Sequence, residues 1–309
     1  MPLTRSGFIA IPPGPRPGFD HADVYRPSFG GARLYVAHTG ADRVDVIDCR
    51  AGAYLRALPG HPGVAGVLID NDTDLLFTSD RGAGQVSVYQ CSDEILLARI
   101  DVGPHPNGLA FDPERRRLFS FNLGEPIGEN CTASVADLGS GQVSGRVVET
   151  IALPGRPRWA AFDPVVGAVF ACIRDPAQVL AINTASLTID RVIDIPAAGP
   201  HGLWADGDRL YCAADAGTLI VLHRDTGDVE ASLVLPGSPD VVMHDPGLHR
   251  LYIAIGDPGV ITVADTARLE IVETVPTEAG AHTIGLDQAS HTVYAFLPAS
   301  QGAAIYQDR

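Results

Sequence analysis

The sequence is short of positive charge, of paired-cysteine motifs and of long apolar runs, and each shortage removes a class of function. Its 22 basic residues face 37 acidic ones, a formal net charge of -15. Nucleic-acid binding draws its affinity from cationic side chains that displace counterions. The expected partners are therefore cations and small molecules, not nucleic acid. The longest uncharged apolar stretch, residues 165–173, is roughly half of what a membrane span needs, so no membrane partner is expected. The five cysteines are odd in number and form no C-x-x-C pair, which points away from a disulfide framework or a zinc knuckle. The first residues lack the apolar core of a secretory signal, so a cytoplasmic location is expected. Absent too are a G-x-S-x-G elbow, an H-E-x-x-H helix, a phosphate loop and a dinucleotide fingerprint. Covalent serine catalysis and nucleotide chemistry are excluded with them.

Turn chemistry is what the chain has in quantity. Its 33 Gly and 24 Pro are spread along the whole length, as many short strands joined by turns require, and no composition shift marks a domain boundary. A repeat explains the spread. The clearest unit is Gly103-Pro104-His105-Pro106-Asn107-Gly108-Leu109-Ala110-Phe111-Asp112-Pro113, followed by Arg117-Leu118-Phe119; altered copies begin near Arg156 and Ser238. With Asn107 as anchor, equivalent positions fall at Asp23, Ala65, Arg158, His201, Asp240 and His282.

Seven units of about four strands each predict a single all-β domain over residues 1–309, a seven-bladed β-propeller with four-stranded blades. Period-2 apolar alternation supports strands throughout, and no helix is expected. The seventh unit stops at Arg309 one strand short, while Phe8-Ile9-Ala10-Ile11-Pro12 precedes the first anchor. The N-terminal strand is therefore expected to complete the last blade and close the ring.

The segments Arg33-Leu34-Tyr35-Val36-Ala37 and Val44-Asp45-Val46-Ile47-Asp48, with the Gly103–Pro113 unit, resemble the YVTN or YncE-type β-propeller repeats. The resemblance covers essentially the whole chain, although His38 stands where the family motif has Asn. It implies the fold and a range of activities that includes binding proteins, lactonase-like enzymes and lyases.

Inner-strand starts and the loops between second and third strands should converge at the channel mouth. His201, Asp240, His282 and Asp23 come from four consecutive blades around the closed ring. Two imidazoles and two carboxylates suit a divalent ion, whether zinc, manganese, iron, calcium or magnesium; a solvated or organic-ligand site is the alternative. Across the ring Arg158, with Arg81 and Arg174, is placed to hold an anionic group. Asn107 and His38 are further substrate contacts, His201, His282, Arg158 and His105 the catalytic candidates, and the long blade-three loop with Glu125 and Glu129 a lid or specificity element. These residues suggest a metal-dependent enzyme acting on a small anionic substrate, lactonase-like by analogy or a lyase. The competing reading is a non-catalytic propeller that binds a ligand or protein.

Overall fold

A computed structural model describes residues 2–28, 30–141, 143 and 145–309. Seven four-stranded antiparallel sheets follow one another around a central channel, six of them running outward from an inner strand in chain order. Blade 1 is Ala22–Tyr25, Arg33–His38, Arg43–Asp48 and Ala53–Pro59. The inner strands of blades 2 to 7 are Val64–Asp70, Pro106–Asp112, Pro157–Asp163, Pro200–Asp206, Pro239–Asp245 and Thr283–Asp287. The outermost strand of blade 7 is Thr4–Ala10, which pairs antiparallel with Gly302–Gln307 from Thr4 opposite Gln307 to Ala10 opposite Gly302. The ring closes as the sequence predicts. Helical structure among the described residues is one short turn, Thr39–Ala41, and no helix there is long and apolar enough to cross a membrane.

An apolar pair in each second strand holds neighbouring blades together. Successive strand residues face opposite sides of a sheet. Leu34 therefore packs with Ile11 and Phe296 of the blade-7 side, while Tyr35 packs with Val67 and Leu76 of blade 2. An aromatic recurs at the Tyr35 position in every blade, as Phe77, Phe119, Phe170, Tyr211, Tyr252 and Tyr294, and all are buried. The core is thus divided into layers between blades.

The inner strands have a local device that aims side chains. Four begin with a proline, which has no N–H to give to a ladder and is tolerated at a strand's first position. A bulge follows each of these prolines, between Pro106 and Leu109, Pro157 and Ala160, Pro200 and Gly202, and Pro239 and Val242. Bulges bend a strand and redirect side chains, and the residues inside or beside them are Asn107, Arg158, His201 and Asp240. Glycine follows the anchor where the next blade crowds it. A Cβ on Gly66, Gly108 or Gly202 would lie 2.5, 2.5 or 2.2 Å from the backbone oxygen of Asn107, Arg158 or Asp240.

Candidate functional site at the channel mouth

The mouth of the channel is a cavity of about 290 Å³ walled by residues from all seven blades. Its two sides differ in charge. Blades 5 to 7 and blade 1 bring His201, Asp240, His282, Asp20 and His21, and blades 2 to 4 bring Arg81, Asn107, Arg156, Arg158 and Trp159. The long blade-three loop adds Leu123 and Ile127 to the wall. The chain contains no lysine, so every side-chain cation fixed at this mouth is a guanidinium or an imidazolium.

His201 is held between two carboxylates. Its Nδ1 lies 2.8 Å from Asp215 Oδ1 and its Nε2 3.1 Å from Asp240 Oδ1. Burial alone would lower its pKa, but the Asp240 charge and the hydrogen bonds to both carboxylates outweigh it and raise His201 to about 9. Both ring nitrogens then donate. Burial works against ionised Asp240 as well, yet the charge and hydrogen bond of His201, with the His282 and His21 charges, hold its carboxyl well below the usual range. Asp215 also lies 2.8 Å from Arg174 Nε, an ion pair without hydrogen-bond alignment.

Across the mouth the arginines are unevenly satisfied. Arg81 donates to Asn107 Oδ1 and, at 3.0 Å, to Asp20 Oδ2. Arg156 and Arg158 have buried Nε atoms with no hydrogen-bond partner among the described residues. Burial lowers the pKa of both, and neighbouring positive charges, Arg174 and Arg81 for Arg156 and Arg156 and Arg174 for Arg158, lower them further; the Asp240 and Asp215 charges oppose this at Arg158, and the Asp215 charge at Arg156. A half-buried guanidinium whose Nε has no partner is unfavourable, and two such groups at one mouth have the geometry and charge that suit an anion.

His21 is the second imidazole with a displaced pKa, and its displacement is opposite to that of His201. Burial is the largest cause and lowers it, against the raising effects of Asp20 and Asp240. Its Nε2 sits 3.5 Å from Asp20 Oδ1, and its ring lies against the Trp159 indole with centroids 4.0 Å apart. Below this pair the channel widens into a second cavity of about 280 Å³, whose walls are largely apolar.

The structure gathers part of the set expected from sequence. Asn107, Arg158, Arg81, His201, Asp240 and His282 line the mouth. Asp23 does not: its carboxylate accepts the backbone N–H of Ile69 at 2.8 Å and of Val24 at 2.7 Å, and it faces the second cavity. Asp20 and His21 take the place assigned to it. The blade-1 turn from Tyr25 to Arg33 is three residues longer than the turn from Asp112 to Arg117, and a fixed repeat spacing moves that excess into the inner strand. His38 is fully buried in blade 1, 2.7 Å from Asp45 and against Phe19, so it cannot touch a ligand at the mouth. His105 lies on the connecting segment, within 3.0 Å of the Gly124 carbonyl oxygen and 3.3 Å of Glu125, and does not line the cavity. Arg174 borders the adjoining surface cleft with Arg156 and Asp215. Sequence reasoning missed Arg156 and Trp159. Reading one anchor per blade passes over both neighbours of Arg158, although the run Arg156-Pro157-Arg158-Trp159 carries the signal.

Asp23, His201, Asp240 and His282 do not come together as four ligands of one ion. A metal takes an imidazole lone pair, and His201 has both ring nitrogens on carboxylates. Asp23 is turned into backbone amides, while His282, whose Nδ1 lies 2.8 Å from the Gly280 carbonyl oxygen, keeps Nε2 for a ligand. Among the described residues no three His, Cys, Asp or Glu side chains converge as a metal centre requires.

Asp23 yields a test of the channel's electrostatics. It keeps a little surface on the cavity while protein surrounds it, and burial, aided by the Asp70 charge and opposed by the two N–H donors, raises its pKa from 3.8 to about 6. Below pH 3.8 both folded and unfolded chains carry the proton. As pH rises to about 6 the unfolded chain releases it first, so stability falls across that window and stays lower above it. The carboxylate accepts these N–H groups on separate oxygens, so Asp23→Asn keeps one of the two bonds at a cost independent of pH; against wild type it is expected to gain on the order of 2 kcal/mol on going from pH 3.5 to pH 8. Urea unfolding at both values checks the difference.

The fold has relatives of varied kind. No protein-family model matches the chain, and no curated protein matches it by sequence. Among solved structures it is similar to a chain of the structure titled Kuenenia stuttgartiensis Hydrazine Synthase, with a TM-score of 0.81 and 17% identity over 95% of this chain and 96% of that one. It is equally similar, at a TM-score of 0.81 and 12% identity, to a chain of the Crystal Structure of Mitotic Checkpoint Complex, over 99% of this chain and 92% of that one. These likenesses define the class, a seven-bladed β-propeller.

Proposed function

We propose that the protein is a metal-free acid–base enzyme that opens small lactones at the channel mouth and releases hydroxycarboxylates. The observation that carries this reading is the pair of unpartnered guanidiniums, Arg156 and Arg158, facing a histidine kept neutral by burial. In a lactone the reacting carbonyl gains negative charge as water adds. Preorganised cations in a partly water-excluded site stabilise that charge, and the same arginines hold the carboxylate once the ring has opened. His21 has a free lone pair at neutral pH, takes the proton from the attacking water and returns it to the ring oxygen as the acyl C–O bond breaks, leaving a hydroxyl and a carboxylate; His201, held as an imidazolium, offsets the charge of Asp240 and Asp215. A lyase on the same site would use the same base to remove a carbon-bound proton. Placement of the repeats with the YVTN or YncE-type propellers belongs to this proposal and is supported by the buried aromatic that recurs in seven second strands.

A second reading, ligand binding without turnover, draws on the saturation of His201, which leaves His21 as the imidazole best placed to exchange a proton. Both readings are tested with δ-valerolactone and its product 5-hydroxypentanoate. Wild type is expected to bind the product in calorimetry and to release acid from the lactone in a pH-stat. His21→Asn is expected to retain product binding while turnover drops at least a hundredfold, the scale of general-base catalysis. Binding without turnover in wild type would leave the ligand-binding propeller, and absence of product binding would remove the anion site.

A further inference from the structure

The channel below the mouth is not the water-filled, polar bore that a propeller axis commonly presents. Its cavity of about 280 Å³ is walled by Leu68, Phe111, Phe162, Trp204, Ala205 and Met243, with Asp23 and Asp70 among the few polar residues on its rim. Those two carboxyls are already engaged. Asp23 accepts two backbone amides, and Asp70 accepts the Thr73 N–H at 3.0 Å and the Thr73 hydroxyl in its turn. Most of what remains exposed to the cavity is aromatic and aliphatic, where water gains no hydrogen bonds, with a smaller polar share from Asp23, Asp70 and His21.

This apolar chamber is coaxial with the arginine-lined mouth, and one contact separates them. His21 and Trp159 line both cavities, and their rings touch across the channel from blades 1 and 4. They are therefore the floor of the mouth and the roof of the chamber. A molecule whose charged end sits between Arg156 and Arg158 has only this partition between its other end and the apolar walls. A cationic head would face the arginines and is excluded by them.

We infer that the ligand is an amphiphilic carboxylate, its head held by Arg156 and Arg158 and its alkyl tail passing the His21–Trp159 pair into the apolar chamber. This rests on the anion site proposed above and adds the substrate class, a medium-chain acyl or alkyl group attached to the reacting carboxyl function. Trp159 lines both cavities and Trp204 the chamber alone, so the emission change that a tail produces beyond that of 5-hydroxypentanoate reports occupancy of the chamber.

The experiment is a chain-length series, butanoate to decanoate, against the full chain by calorimetry and Trp fluorescence, with 5-hydroxypentanoate as the short anion. Affinity is expected to rise about fourfold per methylene up to octanoate, the gain for burying a CH₂. Octyltrimethylammonium is expected not to bind. Ala205→Phe, and Ala161→Phe from the neighbouring blade, fill the chamber. Each is expected to bring octanoate down to the affinity of butanoate while 5-hydroxypentanoate binds as before, which also shows that the variants are folded. Short-anion binding that needs Arg158, with no gain along the series, would overturn the tail and leave the anion site standing. Octanoate binding that ignores Arg158→Gln, with no binding of the short anion, would overturn both.

Discussion

Arg158→Met is expected to lose carboxylate binding about a hundredfold and, in the same protein, to raise the stability of the ligand-free chain by about 1–3 kcal/mol. The two effects have one cause. The guanidinium is partly buried, its Nε has no partner, and Arg156 beside it adds like charge. Folding removes part of its water and returns the attraction of Asp240 and Asp215 but no hydrogen bond to Nε, so a side chain of similar length without charge relieves the folded state. Binding then loses a charge-assisted contact at the mouth. Calorimetry with 5-hydroxypentanoate and urea unfolding of the free protein read the two effects separately. A variant that loses binding and also loses stability would mean that Arg158 is a structural member of the ring. An arginine that harms the empty protein and serves the bound one is what a functional site produces when activity is kept at the expense of stability.

His201→Ala is expected to move stability the other way, by about 3–5 kcal/mol at pH 7, because Asp215 and Asp240 are left without the cation they share. The difference between wild type and variant carries a pH signature. Folded His201 titrates at about 9, above its ordinary 6.5, so its contribution is fully present below pH 6.5 and is lost as pH rises through about 9. Urea midpoints at pH 6, 8 and 9.5 should show the gap between the two proteins narrowing by on the order of 3 kcal/mol over that range. A gap that stays constant to pH 9.5 would show that His201 acts through packing alone.

The fold was legible in the sequence because a propeller repeats its physics. Each blade must present an apolar pair on its second strand to both neighbours, so Leu34-Tyr35, Leu118-Phe119 and Leu251-Tyr252 mark the period whatever else changes. The missing strand at one end and the surplus strand at the other determine how the ring closes. The site was less legible, for two reasons that can be named. Convergence at the mouth depends on hydrogen-bond register, and the blade-1 turn shifts that register by three residues; Asp23 was taken for Asp20 on this account. Whether a polar side chain is free or engaged depends on contacts between distant segments. His38 and Arg158 look alike as polar residues at motif positions, yet His38 is sealed against Asp45 and Phe19 while Arg158 faces an open mouth. The unpaired state of Arg156 is a property of what is not near it, which no local pattern encodes.

The pairing of Thr4–Ala10 with Gly302–Gln307 has a consequence for synthesis. Thr4–Ala10 takes its place only beside a strand made about 300 residues later. At about 5–20 residues per second a ribosome separates the two by roughly 15–60 s, and long-range strand pairing is slow even then. Throughout that interval the nascent chain carries six assembled blades at most, with blade 6 and blade 1 each lacking a neighbour and the N-terminal strand hanging free. Closing the ring is thus a docking step between two segments about 300 residues apart. Ring completion, and with it the channel mouth lined by His21 and His282, waits until Gly302–Gln307 has been made.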